Sequence, residues 1–93
     1  METKNKKDGK RGSFFLEDNG TQIGEMQYMF AGPRKMVIIH TEVNEAYKGR
    51  GLGRWLVKAN VDNARERDKK ISPLCIFAKK ILEETPEYAD VLY

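Results

Sequence analysis

Three glycines at alternate positions, Gly49, Gly51 and Gly53, stand where the apolar period of the chain changes. Upstream of them the period is two. Residues 22–30 place Gly24, Met26, Tyr28 and Phe30 on one side and Ile23, Glu25 and Gln27 on the other, the pattern of a half-buried strand. Residues 35–43 contain Met36-Val37-Ile38-Ile39, apolar on both faces as in a central strand. Downstream the period becomes helical over 52–67. Leu52, Leu56 and Ala59 form one stripe, with Val57, Val61 and Ala64 beside it and Arg54, Lys58, Asp62 and Arg65 opposite. A chain that makes this switch across a glycine loop must end a strand, turn sharply and lay a helix back on the sheet.

The flanking segments complete an α/β (α+β) fold. A short aromatic strand over 13–17 is followed by Asp18-Asn19-Gly20, residues that tolerate the positive φ of a hairpin turn. Ala31-Gly32-Pro33-Arg34 makes a second turn, so three strands form an antiparallel meander. After the central helix, 71–77 reads as a fourth strand interrupted by Pro73, and 79–84 as a short C-terminal helix closed before Pro86. The third and fourth strands flank a helix and are expected to be parallel neighbours with a right-handed crossover. Trp55, Leu56 and Phe77 read as core.

Ninety-three residues favour a single domain, placed at 12–93. The net charge of +3 is concentrated at the N-terminus. Residues 1–11 hold Lys4, Lys6, Lys7, Lys10 and Arg11 against Glu2 and Asp8, which leaves twelve basic and twelve acidic residues of the 17 and 14 in all. That segment reads as a flexible basic tail. Its lysines can contact phosphates without a fold, but no aromatic side chains interleave with them, so nucleic acid is not the expected partner. Cys75 is the only cysteine, which fits a reducing compartment. No long apolar stretch follows the basic start and none approaches the roughly 20 residues that span a bilayer. The expectation is a cytoplasmic protein without a signal peptide. One histidine and one cysteine make a metal site improbable on composition.

Chemistry concentrates at the glycine loop. Alternate glycines let backbone N–H groups approach a ligand closely, and the helix behind them adds unpaired donors and a positive dipole end. Lys48, Arg50 and Arg54 can add charge around a bound pyrophosphate. A Walker loop would end Gly-Lys-Ser/Thr, whereas this one ends Gly53-Arg54-Trp55. A dinucleotide fingerprint needs G-x-G-x-x-G after a parallel strand, and this loop is G-x-G-x-G after an antiparallel one.

The run Lys48-Gly49-Arg50-Gly51-Leu52-Gly53 resembles the acetyl-CoA loop of the GNAT superfamily of N-acetyltransferases, with Lys in place of the first Gln or Arg. Together with His40-Thr41-Glu42-Val43, Tyr47, Pro73-Leu74-Cys75 and Pro86-Glu87-Tyr88, it is similar to the very short single-domain branch of that superfamily over residues 12–92. That branch lacks the N-terminal helices that help build the acceptor pocket in larger members. The resemblance implies transfer of acetyl from acetyl-CoA to an amine, or a CoA-binding module without catalysis. It also implies that Thr41 and Val43 end a strand that splays from its neighbour, where pantetheine pairs with the backbone and the Val43 N–H polarises the thioester carbonyl. Lys48 through Arg54 would hold the pyrophosphate, Leu52 included through its N–H.

Three side chains are candidates for the reaction itself. Glu42 is the nearest acidic residue to the expected acyl group and can take a proton from an ammonium acceptor, or be an ordinary surface or loop-facing carboxylate. His40, one alternation away on the same strand face, can serve as a base or be a histidine hydrogen-bonded within the sheet. Cys75 can accept the acetyl group or give a proton to the departing CoA thiolate, or it can be a small core residue. Tyr88 is a further candidate acid. Lys79 and Lys80 lie within reach of the nucleotide phosphates, or are solvated helix charges.

Overall fold

The computed structural model describes residues 2–93. One mixed sheet carries the architecture. Its strands are β1 (Glu2–Asp8), β2 (Arg11–Asp18), β3 (Thr21–Ala31), β4 (Lys35–Val43) and β5 (Lys70–Pro73), in that spatial order. The first four are antiparallel in sequence, and β5 is parallel to β4. Helix α1 (Leu52–Glu66) is the crossover, and α2 (Ile76–Glu84) follows β5. Short 3-10 segments occupy Glu45–Tyr47 and Pro86–Val91. The molecule is 19 Å thick in its shortest dimension, enough for one sheet and one helical layer.

The expected meander, crossover and parallel strand are all present, and the core explains them. Leu16, Met26, Tyr28, Met36 and Ile38 from the sheet meet Leu56, Val57, Val61 and Ala64 from α1, all fully buried. Each large aliphatic side chain removed from water stabilises by about 1.5–3 kcal/mol. Ile23, expected on the outer side of β3, is also in the core. The β2–β3 register shifts between Leu16 and Glu17, so Ile23 is an extra residue there and turns inward with Gly24.

Four expectations need correction. The segment read as a flexible tail is β1, paired with β2 from Glu2↔Glu17 to Asp8↔Arg11. Its lysines hid an alternating strand whose Asn5 accepts a hydrogen bond from the buried Tyr28 hydroxyl at 2.9 Å. The fourth strand stops at Pro73, not at residue 77. Proline has no N–H to continue the ladder, the last bond to β4 is from Leu74 N–H to Ile38 O, and α2 begins three residues later, at Ile76. Trp55 and Phe77 are not core: they are 53% and 46% exposed.

Candidate functional site

Strand β4 carries a bulge. Gln27 faces His40 and Tyr28 faces Ile38, so Ile39 is the extra residue. The bulge flips the alternation. Met36 and Ile38 point toward α1 before it, whereas Thr41 and Val43 line the cleft beside the glycine loop after it. His40 and Glu42 therefore stand on the outer face of the sheet, opposite to Thr41 and Val43.

The same stretch of β4 loses its second neighbour. Pairing with β5 ends at Ile38↔Pro73, leaving a gap that opens toward the C-terminal end of β4. Asn44 N–H bonds to Ile23 O on β3. By alternation from it, the backbone groups of Val43 and Thr41 point away from β3 and into the gap. Here the structure supplies free strand backbone beside the glycine cradle.

That cradle has the conformation its sequence requires. Gly49 and Gly51 have φ of +82° and +75°, in the left-handed region that side chains with a Cβ rarely adopt. Gly51 is the residue before α1, and its carbonyl accepts from Arg54 and Trp55 N–H in the first turn. The amide groups ahead of that turn are left for a ligand. Gly53 answers a packing need instead, because a Cβ there would overlap the Phe77 ring. Phe77 thus forms the wall between loop and α2.

These parts enclose a cleft of about 620 Å³. Thr41 and Val43 form one side, Lys48, Gly49 and the residues from Gly51 to Arg54 the floor, and Phe77, Lys80 and Ile81 the far wall. Lys48 binds Glu45 at 2.7 Å and Arg54 lies 3.7 Å from Glu84, in exposed pairs. Such pairs contribute little, so an incoming phosphate can displace the carboxylates. Arg50 does not line the cleft; its guanidinium lies 5.1 Å from the centre of the Tyr47 ring. Of the two lysines on α2, Lys80 lines the cleft and Lys79 does not.

Cys75 stands across the gap from Thr41. It is the residue before the first turn of α2, with Sγ 3.4 Å from Thr41 Oγ1. Burial pushes its thiol up, but the Thr41 hydroxyl and the amides of Ala78 and Phe77 outweigh that, leaving the thiol below its ordinary range. The sequence showed no cation beside Cys75; helix amides supply the positive potential instead.

His40 and Glu42 pair with each other, Nε2 to Oε1 at 3.1 Å, both largely exposed. His40 is not held within the sheet, as its residue type in a strand had suggested. Glu42 lines a shallower depression of about 510 Å³ with Glu25, its direct partner on β3. Tyr88 lies on the far side of α1, near Arg65, and not at the cleft. The tyrosine at the cleft is Tyr47, anchored by its hydroxyl to Asp18 at 3.2 Å. Its place just ahead of the glycines, within the run that carries the resemblance, was the sequence signal for it. Among the described residues no group of three metal-ligating side chains forms, and no helix is long and apolar enough to cross a membrane.

A family model described as GCN5-related N-acetyl-transferase matches residues 13–91. The chain belongs to this family. Protein NATD1 of Gallus gallus is 36% identical over 80 residues, 85% of this chain and 73% of that protein. Protein NATD1 of Homo sapiens is 35% identical over 80 residues, covering 85% and 71%. The solution structure of a GCN5-like protein from Staphylococcus aureus agrees with TM-score 0.74 at 34% identity, over 97% of this chain and 87% of that one. An aminoglycoside 6'-N-acetyltransferase crystallised with coenzyme A shares the fold, with TM-score 0.65 at 15% identity over 71% of this chain and 38% of its own.

Proposed function

We propose that this protein binds acetyl-CoA in the cleft between β4, the glycine loop and α2, and transfers its acetyl group to an amine. One observation carries the reading. Free β4 backbone at Thr41 and Val43 opens beside a left-handed glycine turn at a helix start, within one cleft. The donor set fits the ligand: the turn and helix amides suit a pyrophosphate, with Lys48, Arg54 and Lys80 around it. The Val43 N–H would hold the thioester carbonyl oxygen as charge develops on it.

The amine would arrive from the outer face of the sheet. Glu42 and Glu25 face each other there, and among the described residues neither forms an ion pair with a lysine or arginine, which favours an ammonium acceptor. Glu42, directly or through His40, would remove its proton so that the neutral amine can attack the carbonyl carbon.

A second route is favoured by Cys75. Its thiolate, stabilised by Thr41 and the α2 amides, would attack the same carbon. CoA would leave as its thiolate, and the amine would then displace the cysteine. Thermal unfolding tests the shared step. A ligand at roughly 100 times its dissociation constant stabilises by about 2.7 kcal/mol, on the order of 10 °C for so small a domain. Acetyl-CoA and CoA should produce that shift and ATP little of it; no shift with millimolar acetyl-CoA overturns the reading. Intact mass after incubation with acetyl-CoA then separates the routes. One added acetyl group, lost in Cys75→Ala, supports the cysteine route, and an unmodified protein that still turns over supports direct transfer.

A further inference from the structure

The end of the sheet opposite the glycine loop gathers cations that neither the cleft nor the fold requires. The β1–β2 turn, the β3–β4 turn, the start of β5 and the C-terminal end of α1 all meet there. At its centre is the ring of Phe30. Lys7 Nζ lies 5.1 Å from the ring centre, Lys69 Nζ 5.0 Å and Arg67 Cζ 5.3 Å, contributed by β1 and by the segment after α1. Beside them Lys35 Nζ lies 4.7 Å from the ring of Tyr93, which is 71% exposed.

How these charges are held is what distinguishes them. Lys4, Lys48, Lys58 and Arg65 each pair with a carboxylate. Among the described residues Lys7, Arg67 and Lys69 have no such pair. Neutral oxygens fix two of them, and the Phe30 ring the third: Arg67 Nε donates to Asn63 Oδ1 at 3.0 Å and Lys69 Nζ to Pro33 O at 2.9 Å, while Lys7 rests on the ring. Neighbouring Lys70 Nζ donates to Asp90 O at 2.7 Å. A ring or carbonyl orients a cation without cancelling its charge. Asp8, Glu66 and Asp68 lie near in sequence, yet none closes a pair with these groups. The helix dipole favours Arg67 and Lys69 after α1, but it does not account for Lys7 or Lys35.

We propose that this end of the molecule binds the phosphate backbone of a single-stranded nucleic acid. Fixed, uncancelled cations match a chain with a charge at every link, and strand binding of this kind combines them with exposed rings for base stacking. Tyr93, exposed beside Lys35, supplies such a ring, while the part-buried Phe30 orients the cations of a basic strip that crosses five strands, or about 19 Å at roughly 4.8 Å each. A lipid surface fits less well, because the turns here present Gly9, Lys10, Gly32, Pro33 and Arg34, with nothing apolar but the proline to insert. An acidic protein fits less well because the large exposed apolar anchors, Trp55, Leu74, Ile76 and Phe77, stand elsewhere. This inference does not rest on acetyl transfer.

The test is fluorescence anisotropy of a labelled single-stranded DNA oligonucleotide with the full chain across a salt series. Binding should weaken steeply with salt. The variant Lys7→Gln, Arg67→Gln, Lys69→Gln should reduce the log–log salt slope by about 2, at about 0.7 per phosphate contact, and weaken binding at least tenfold near 0.1 M salt. Its unfolding midpoint and circular dichroism establish that it is folded. Tyr93→Ala, at an exposed position, should weaken binding with no change in slope, since it removes a stacking surface and no charge. Unchanged binding by a folded triple variant would overturn the proposal. So would displacement of the oligonucleotide by saturating acetyl-CoA, which would place it in the other cleft. Equally tight binding of poly-glutamate or of phosphatidylglycerol vesicles would assign the surface to a different partner.

Discussion

Positive potential gathers at both ends of this sheet, but the two ends hold it by different means. At the glycine loop it resides in backbone amides and a helix start, and the nearby Lys48 and Arg54 rest on Glu45 and Glu84. At the opposite end it resides in side chains fixed by neutral oxygens and rings, and among the described residues Lys7, Arg67 and Lys69 close no ion pair with a carboxylate. The first arrangement suits a compact, highly charged ligand that comes and goes, because weak ion pairs reform when it leaves. The second suits a polymer that replaces many counterions at once.

Breaking one end should leave the other intact. The largest effect is expected from Gly49→Val with Gly51→Val. A β-branched residue at positive φ is a backbone outlier, and its side chain would crowd the cradle. The acetyl-CoA-induced shift of on the order of 10 °C should vanish while oligonucleotide binding persists. Loss of both would mean that the two ends are not separable.

Deleting residues 1–8 should come next. Tyr28 is fully buried and would lose Asn5 as the acceptor of its hydroxyl, at a cost of about 1–3 kcal/mol, and one sheet edge would be stripped. A clearly lower unfolding midpoint is expected; an unchanged one would restore the flexible-tail reading.

A subtler prediction concerns pH. If Cys75 reacts as a thiolate, the rate should rise with pH through its lowered thiol range and then level. Thr41→Val removes the hydroxyl that favours the thiolate and should move that rise to higher pH. A profile indifferent to Thr41 would remove Cys75 from the reaction.

The smallest effect belongs to Asp90, whose carboxyl the Arg65 guanidinium holds below its ordinary value. Such a group stabilises the fold above the unfolded carboxylate range, and the contribution is lost as pH falls through the lowered value. Asp90→Asn should therefore make the unfolding midpoint slightly less sensitive to acid, measured by circular dichroism from neutral pH downward.

The sequence displayed whatever depended on local period or turn chemistry. Residues 22–30 and 35–43, the turn at Asn19-Gly20 and the helix after Gly53 all announced themselves that way. What it hid was decided by tertiary context. In β1, Thr3, Asn5 and Lys7 offer no apolar signal, and only the free edge of β2 and the Tyr28 hydroxyl select a strand there. The apolar run at 71–77 fits strand or helix equally well, and the divergence after Pro73 decides it. The bulge at Ile39 sends Glu42 and Thr41 to opposite faces, which spacing alone cannot reveal. Basic residues meet aromatic ones only in space, Lys7 and Lys69 at Phe30 and Lys35 at Tyr93.

The central claim is that the glycine-loop end, and not its opposite, is the acetyl-CoA site. Amide chemical-shift mapping during an acetyl-CoA titration tests it most directly. Shifts should concentrate at Thr41, Val43, Gly49, Gly51, Leu52, Gly53 and Phe77, and leave Lys7, Phe30, Arg67 and Lys69 unmoved. Shifts centred on Phe30 and its cations, or none at all at millimolar ligand, would contradict it.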